Sequence, residues 1–153
     1  FFIYYNYIMS GKKYKQIVLE TVDNFSDLIL DWSESEFGSF DKWINLLKNI
    51  MMYLTKHNPA MTEIEKTDFS VKIVVELCLI LYNKYTDNEE DTDKIDELKK
   101  GKLRMVVLII DNPDILRTSV TMLNDVLKKM DTDGDGKVSS KECLAFIFPC
   151  CCK

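Results

Sequence analysis

Apolar residues recur every three or four positions through most of this chain, and little interrupts them. That rhythm is the tightest constraint on the fold, because it lays one greasy stripe along a helix. Over residues 12–32 the stripe is Ile17, Val18, Thr21, Val22, Phe25, Leu28 and Ile29. Residues 33–38 read as a loop. Ser39 is placed to cap a second helix, striped by Trp43, Leu46, Leu47, Ile50, Met51 and Leu54. His57-Asn58-Pro59 closes it, since a residue before proline is pushed out of the helical region.

A third helix starts near Thr62, where Thr62 and Glu65 have the spacing of a capping box. It runs to about Tyr85 and is apolar on more than one face (Ile73, Val74, Val75, Leu77, Leu79, Ile80, Leu81), which places it at the centre of a bundle. The acidic stretch 86–93 is a linker. A fourth helix covers 94–110, with Gly101 its weak point; its β-branched end, 105–110, also suits a strand. Asp111-Asn112-Pro113 signals the next helix start, and that fifth helix runs to Met130. With three prolines and five glycines in 153 residues, the expected class is all-α: a bundle of about five helices over residues 11–110 and beyond, then a helix–loop–helix over 111–148.

Charge narrows the partners. The net charge is −5 and the sequence pI is about 5.0. Phosphate backbones demand clustered Lys and Arg, and the clusters here, Lys12-Lys13-Lys15 and Lys99-Lys100-Lys102-Arg104, are small. Nucleic acid is therefore not an expected partner. No apolar run approaches the roughly 18 residues of a membrane span. The opening FFIYYNYI lacks the basic region and cleavage site of a signal peptide. All its residue types can be written with A and T bases alone, so residues 1–10 read as a leader that need not be native, with Met9 as the start. Cys78 reads as core. The other cysteines crowd the end of the sequence, and no spaced disulfide framework runs through it, which suits a reducing, cytoplasmic setting.

The most specific chemistry begins at Asp131: D-T-D-G-D-G-K-V-S-S-K-E. Calcium, a hard cation, takes six to eight oxygens. Alternation turns Asp131, Asp133 and Asp135 to one side of a coiled loop. Gly136 permits a sharp bend. Lys137 offers its backbone carbonyl, Ser139 a direct or water-mediated ligand, and Glu142 two carboxylate oxygens.

This segment resembles an EF-hand over about residues 116–148. The likeness extends to the flanks: Leu123, Val126, Leu127 and Met130 before the loop, and Cys143, Phe146 and Ile147 after it. Val138 stands where EF-hands form a short bridge to a partner loop. The resemblance implies Ca2+ as the bound ion. Bidentate Glu142 favours it over magnesium, which prefers six-fold geometry and its own waters. EF-hands usually pair, yet neither the stretch from Asp87 nor that from Asp111 carries the ligands. The single loop therefore implies either a homodimer or packing against the N-terminal helices.

Beyond the loop, Leu144 and Phe148 leave the exit helix greasy around most of its circumference before Pro149. Cys150, Cys151 and Cys152 follow, in a tail over 149–153. Two readings stand side by side: S-acylation, with more than one chain giving a stable membrane anchor, or an idle tail with incidental disulfides. Prenylation and metal binding fit the spacing poorly.

No nucleophile elbow, phosphate-cradling glycine loop or zinc-protease motif occurs. His57, the single histidine, reads as a helix-terminal residue. The chain is expected to be a non-enzyme. One hypothesis is a calcium-responsive module that exposes Met122, Met130 and Phe146 to a protein partner. The other is a structural helical protein, of the kind an AT-rich or viral genome encodes, in which calcium only stabilises.

Overall fold

The computed structural model describes the backbone of residues 2–134 and the side chains of 13–122, 125, 126 and 128–134. The described residues form seven helices and no strand, an all-α protein. They divide into two units, 1–117 and 118–153. The division falls within the last helix, beyond the boundary at residue 111 that the sequence suggested.

In the first unit α1 (Phe2–Leu30), α3 (Phe40–His57) and α6 (Arg104–Asp111) all pack on α4 (Glu63–Thr86). The central place expected for the third sequence helix belongs to α4. Ile73, Val74, Leu77, Cys78 and Leu81 are wholly buried, and Phe69 and Val71 nearly so. Burial raises the Cys78 thiol well above its ordinary pKa, because a thiolate has no water there. The start of α4 follows the sequence: the Glu65 N–H donates to Thr62 Oγ1 at 3.2 Å, and the Thr62 N–H donates to the Glu65 carboxylate at 2.8 Å.

Helix α1 begins at Phe2 rather than Lys12 and ends at Leu30 rather than Trp32. Its buried face is Val18, Thr21, Val22 and Ile29, with Phe25 half-buried. Leu28, assigned to the stripe, is 48% exposed. At 3.6 residues per turn it stands about a quarter-turn from the Val18–Val22–Phe25–Ile29 line. Thr21 lies in this interface without penalty, its hydroxyl donating to the Ile17 carbonyl at 2.7 Å.

Residues 33–38 are not simply a loop. They hold a one-turn helix, α2 (Glu34–Phe37). Glu36 accepts hydrogen bonds from the Ser33 N–H at 2.8 Å and the Ser33 hydroxyl at 3.2 Å. Those bonds, the backbone one foremost, hold its carboxyl below the usual carboxylate range. The turn delivers Phe37 into the core, fully buried, with its carbonyl accepting from the indole N–H of buried Trp43 at 2.7 Å. Trp32 meets Trp43 edge-on, ring centroids 5.0 Å apart. Ser39 stands at the N-cap of α3, but its side chain makes no capping hydrogen bond. The helix ends at His57, before Asn58-Pro59, as expected.

The fourth sequence helix is in fact two. Gly101 caps α5 (Thr92–Lys100), and α6 starts at Arg104. The physical reason is a change of face. No residue of α5 is buried, whereas Leu103, Val106 and Ile109 are fully buried. A single straight helix would have to carry a solvated surface into the α4 interface. The β-branched run 105–110 is helical throughout. Lys102 reaches back to pair with Glu34 and sits 4.4 Å over the Tyr85 ring, and the Lys84 ammonium donates to the Leu30 carbonyl at 2.8 Å. After Asn112-Pro113 comes α7 (Asp114–Met130). Near its start Arg117 pairs with Asp114 at 2.7 Å and with Asp68 of α4 at 3.1 Å.

Replacing Trp43 by Phe deprives the buried Phe37 carbonyl of its donor. The expected loss is about 1–3 kcal/mol or more in urea unfolding. Ile64→Ala, at a position 77% exposed, should change stability by no more than about 0.5 kcal/mol.

Candidate functional site

The acidic loop opens where α7 stops. Of the apolar stripe expected along α7, the side chains of Leu123 and Leu127 lie outside the described residues. Val126 is 38% exposed, Met122 is 66% exposed, and Met130 is half-buried. Lys128 and Lys129 occupy the last turn, where cations complement the helix dipole.

Asp131 follows immediately and is partly buried, while Thr132, Asp133 and Gly134 are exposed. The Gly134 N–H donates to Asp131 Oδ1 at 2.9 Å. Gly134 itself has φ +73°, in the left-handed region that glycine enters at no steric cost. This bend went unassigned in the sequence, where the turn was given to Gly136. The signal was present in Asp131-Thr132-Asp133-Gly134, an aspartate followed three residues on by glycine, the arrangement of a turn closed by a side chain. Of the ligands expected, Asp131 and Asp133 are thus placed on one short bend. Asp135, Lys137, Ser139 and Glu142 lie outside the described residues, as do Val138, the exit-helix positions Cys143, Phe146 and Ile147, and the tail cysteines Cys150, Cys151 and Cys152. No cluster of three metal-ligating side chains occurs among the described residues.

A second feature lies in the first unit. Where α3 turns into α4, a groove of about 760 Å³ opens between α1 and the start of α4. Tyr14, Ile17, Met61 and Phe69 give it apolar walls, and Lys13, His57, Glu65 and Asp68 its charged and polar ones. The Tyr14 and Phe69 rings face each other at 4.3 Å, tilted by 39°. Partial burial, chiefly, raises the Tyr14 phenol above its usual pKa; Asp68 and Glu76 add to this and Lys72 opposes it. A smaller hollow of about 200 Å³ adjoins and shares Ile17, His57 and Asn58, adding Glu20 and Tyr53. His57 ends α3 as expected, exposed, its ring 4.2 Å from that of Tyr53. Sequence reasoning missed this groove. Its aromatic residues carry the same periodicity as core, and nothing in the spacing distinguishes a wall from a buried seam.

Compared with protein-family models, with curated proteins and with solved structures, the chain matches none.

Gly134→Val should cost the bend about 1–2 kcal/mol, whereas Gly134→Asn should be tolerated, because asparagine also enters the left-handed region. Hydrogen exchange at the residue-134 amide is the measurement. Val should reduce its protection by roughly tenfold relative to Asn.

Proposed function

We propose that this protein binds calcium through a single EF-hand loop spanning residues 131–142, and that it acts as a calcium-responsive module through protein contacts rather than as an enzyme. One observation carries the proposal: the left-handed Gly134, whose amide closes onto the Asp131 carboxylate at 2.9 Å. Aspartate side chains close ordinary turns in the same way; what distinguishes this one is the alternation of Asp131, Asp133 and Asp135 in which it stands. The sequence beyond it keeps the register, with Asp135, the Lys137 carbonyl, Ser139 and bidentate Glu142 completing an oxygen set suited to Ca2+.

Ion binding relieves the mutual repulsion of four carboxylates in the loop. At a free ion concentration a hundredfold over the dissociation constant, it adds about 2.7 kcal/mol to the folded state. Met122 and Val126 on α7 are exposed apolar side chains that a partner could cover. A second copy of the chain is one such partner, since the loop has no mate in its own sequence.

Calorimetric titration with calcium chloride tests the site. The intact chain should bind one ion, and Glu142→Gln should bind roughly tenfold more weakly or not at all. Equal heats from the two proteins would remove the assignment. In the same samples, an apolar-surface dye should brighten with calcium. Binding without brightening would leave calcium a structural role only.

The run Cys150-Cys151-Cys152 beside the apolar Phe146-Ile147-Phe148 forms the second part of the proposal. These thiols are suited to S-acylation, in which a cysteine thiolate attacks the carbonyl carbon of a fatty-acyl thioester and the carrier thiol leaves. Two such chains would hold a membrane surface where one is marginal. No helix among the described residues is long and apolar enough to cross a membrane. Mass spectrometry of protein from its native host should show fatty-acyl mass on the tail peptide, removed by hydroxylamine. An unmodified tail peptide would discard this part alone.

A further inference from the structure

We infer that the groove between α1, the α3–α4 turn and the start of α4 is a binding site for a small organic ammonium ion carrying an aromatic or compact apolar body. The inference concerns the first unit alone and is independent of the calcium loop.

Size comes first. A volume of about 760 Å³ lies within the roughly 300–1,000 Å³ of small-molecule sites. Tyr14 remains 37% exposed despite its contact with Phe69, so part of its side chain is accessible from the groove. Pro59 and Ala60, in the α3–α4 turn, add apolar wall without hydrogen-bonding side chains.

Charge then selects the ligand. Glu65 and Asp68 stand one helical turn apart on α4 and both line the groove, and Glu20 lines the adjoining hollow. Among the described residues, the two lining sets offer against these three carboxylates one ammonium, Lys13, and His57. Two of the acids are already engaged by one oxygen: Glu65 Oε2 accepts from the Thr62 N–H, and Asp68 Oδ1 faces Arg117 at 3.1 Å. Arg117 is itself shared with Asp114, so the guanidinium does not cancel both carboxylates it touches. Lys72, which also acts on Tyr14, is paired with Glu76 at 2.7 Å, so the balance of described charges at the groove is negative. A negative rim next to aromatic faces attracts a cation twice over, by simple Coulomb attraction and by the ring quadrupole. An anion would meet three carboxylates on its way to Lys13, and a neutral ligand would gain only the apolar wall.

Benzyltrimethylammonium serves as the cationic probe, with benzyl alcohol and benzoate as neutral and anionic comparisons. Amide and side-chain NMR shifts of the full chain are followed during titration. The cation should saturate with a dissociation constant on the order of 1 mM, moving Tyr14, His57 and Phe69 signals. Benzyl alcohol should bind about tenfold more weakly and benzoate not at all. Glu65→Gln with Asp68→Asn should weaken the cation about tenfold and leave benzyl alcohol unchanged. Glutamine keeps the capping box at residue 65, and the Asp68 pair is exposed and worth little to stability. Lys13→Gln, at an exposed site, removes the ammonium found in the described lining and should tighten the cation a few-fold. Should the double variant unfold, this single change decides. Cation and benzyl alcohol binding equally, shifts outside the groove only, or Lys13→Gln weakening the cation would each overturn the inference.

Discussion

Helix α4 is enclosed by α1, α3 and α6, and the first unit depends on that enclosure. A helix packed on three sides cannot keep a single narrow apolar stripe, so α4 gathers most of its polar residues at its two ends and leaves mid-helix the Lys72–Glu76 pair, 2.7 Å apart, on the side open to solvent. Its first turns carry Glu63, Glu65 and Asp68, and its last carry Asn83 and Lys84. Between them Ser70 is the buried polar side chain, and its hydroxyl is satisfied within the helix by the Lys66 carbonyl at 2.6 Å. Both kinds of feature follow from this. The middle of α4 makes the core. Its acidic start makes the groove, and its basic end ties down α1 through Lys84 and the Leu30 carbonyl.

Much of this was legible in residue order, and the failures have physical causes. The all-α class, the central helix, the Thr62–Glu65 cap and the stop at Asn58-Pro59 rest on local rules, which short segments obey without help. The α2 turn was missed although Ser33 and Glu36 have the same spacing as Thr62 and Glu65. There the box stands before one turn rather than a long apolar run, and only the burial of Phe37 makes that turn worth forming. The fourth helix was drawn whole because Gly101 alone is a weak breaker. What divides it is that α5 has no buried face and α6 has one, a property of the neighbours rather than of the sequence. At the loop, spacing located the aspartates but not the residue that bends the backbone first. The groove left no trace in the sequence, because concavity arises from how three segments meet.

The calcium proposal and the groove sit in different units of the chain, and they draw on different physics. In the calcium proposal the loop would gather like charges that an ion makes tolerable. The groove works by leaving a modest excess of negative charge beside aromatic faces. Nothing in the chemistry of one requires the other.

The Trp32–Trp43 pair has an optical consequence. These are the chain's two tryptophans, and they meet edge-on 5.0 Å apart at the corner where α1, α2 and α3 converge. Intrinsic emission from this protein therefore has one address. It registers whether Phe37 and its turn are seated, through the indole bonded to the Phe37 carbonyl, and both indoles belong to the unit that does not contain the acidic loop. Ultraviolet-excited light from the native chain is a gauge of the bundle's integrity, and a probe of the loop would need a fluorophore of its own.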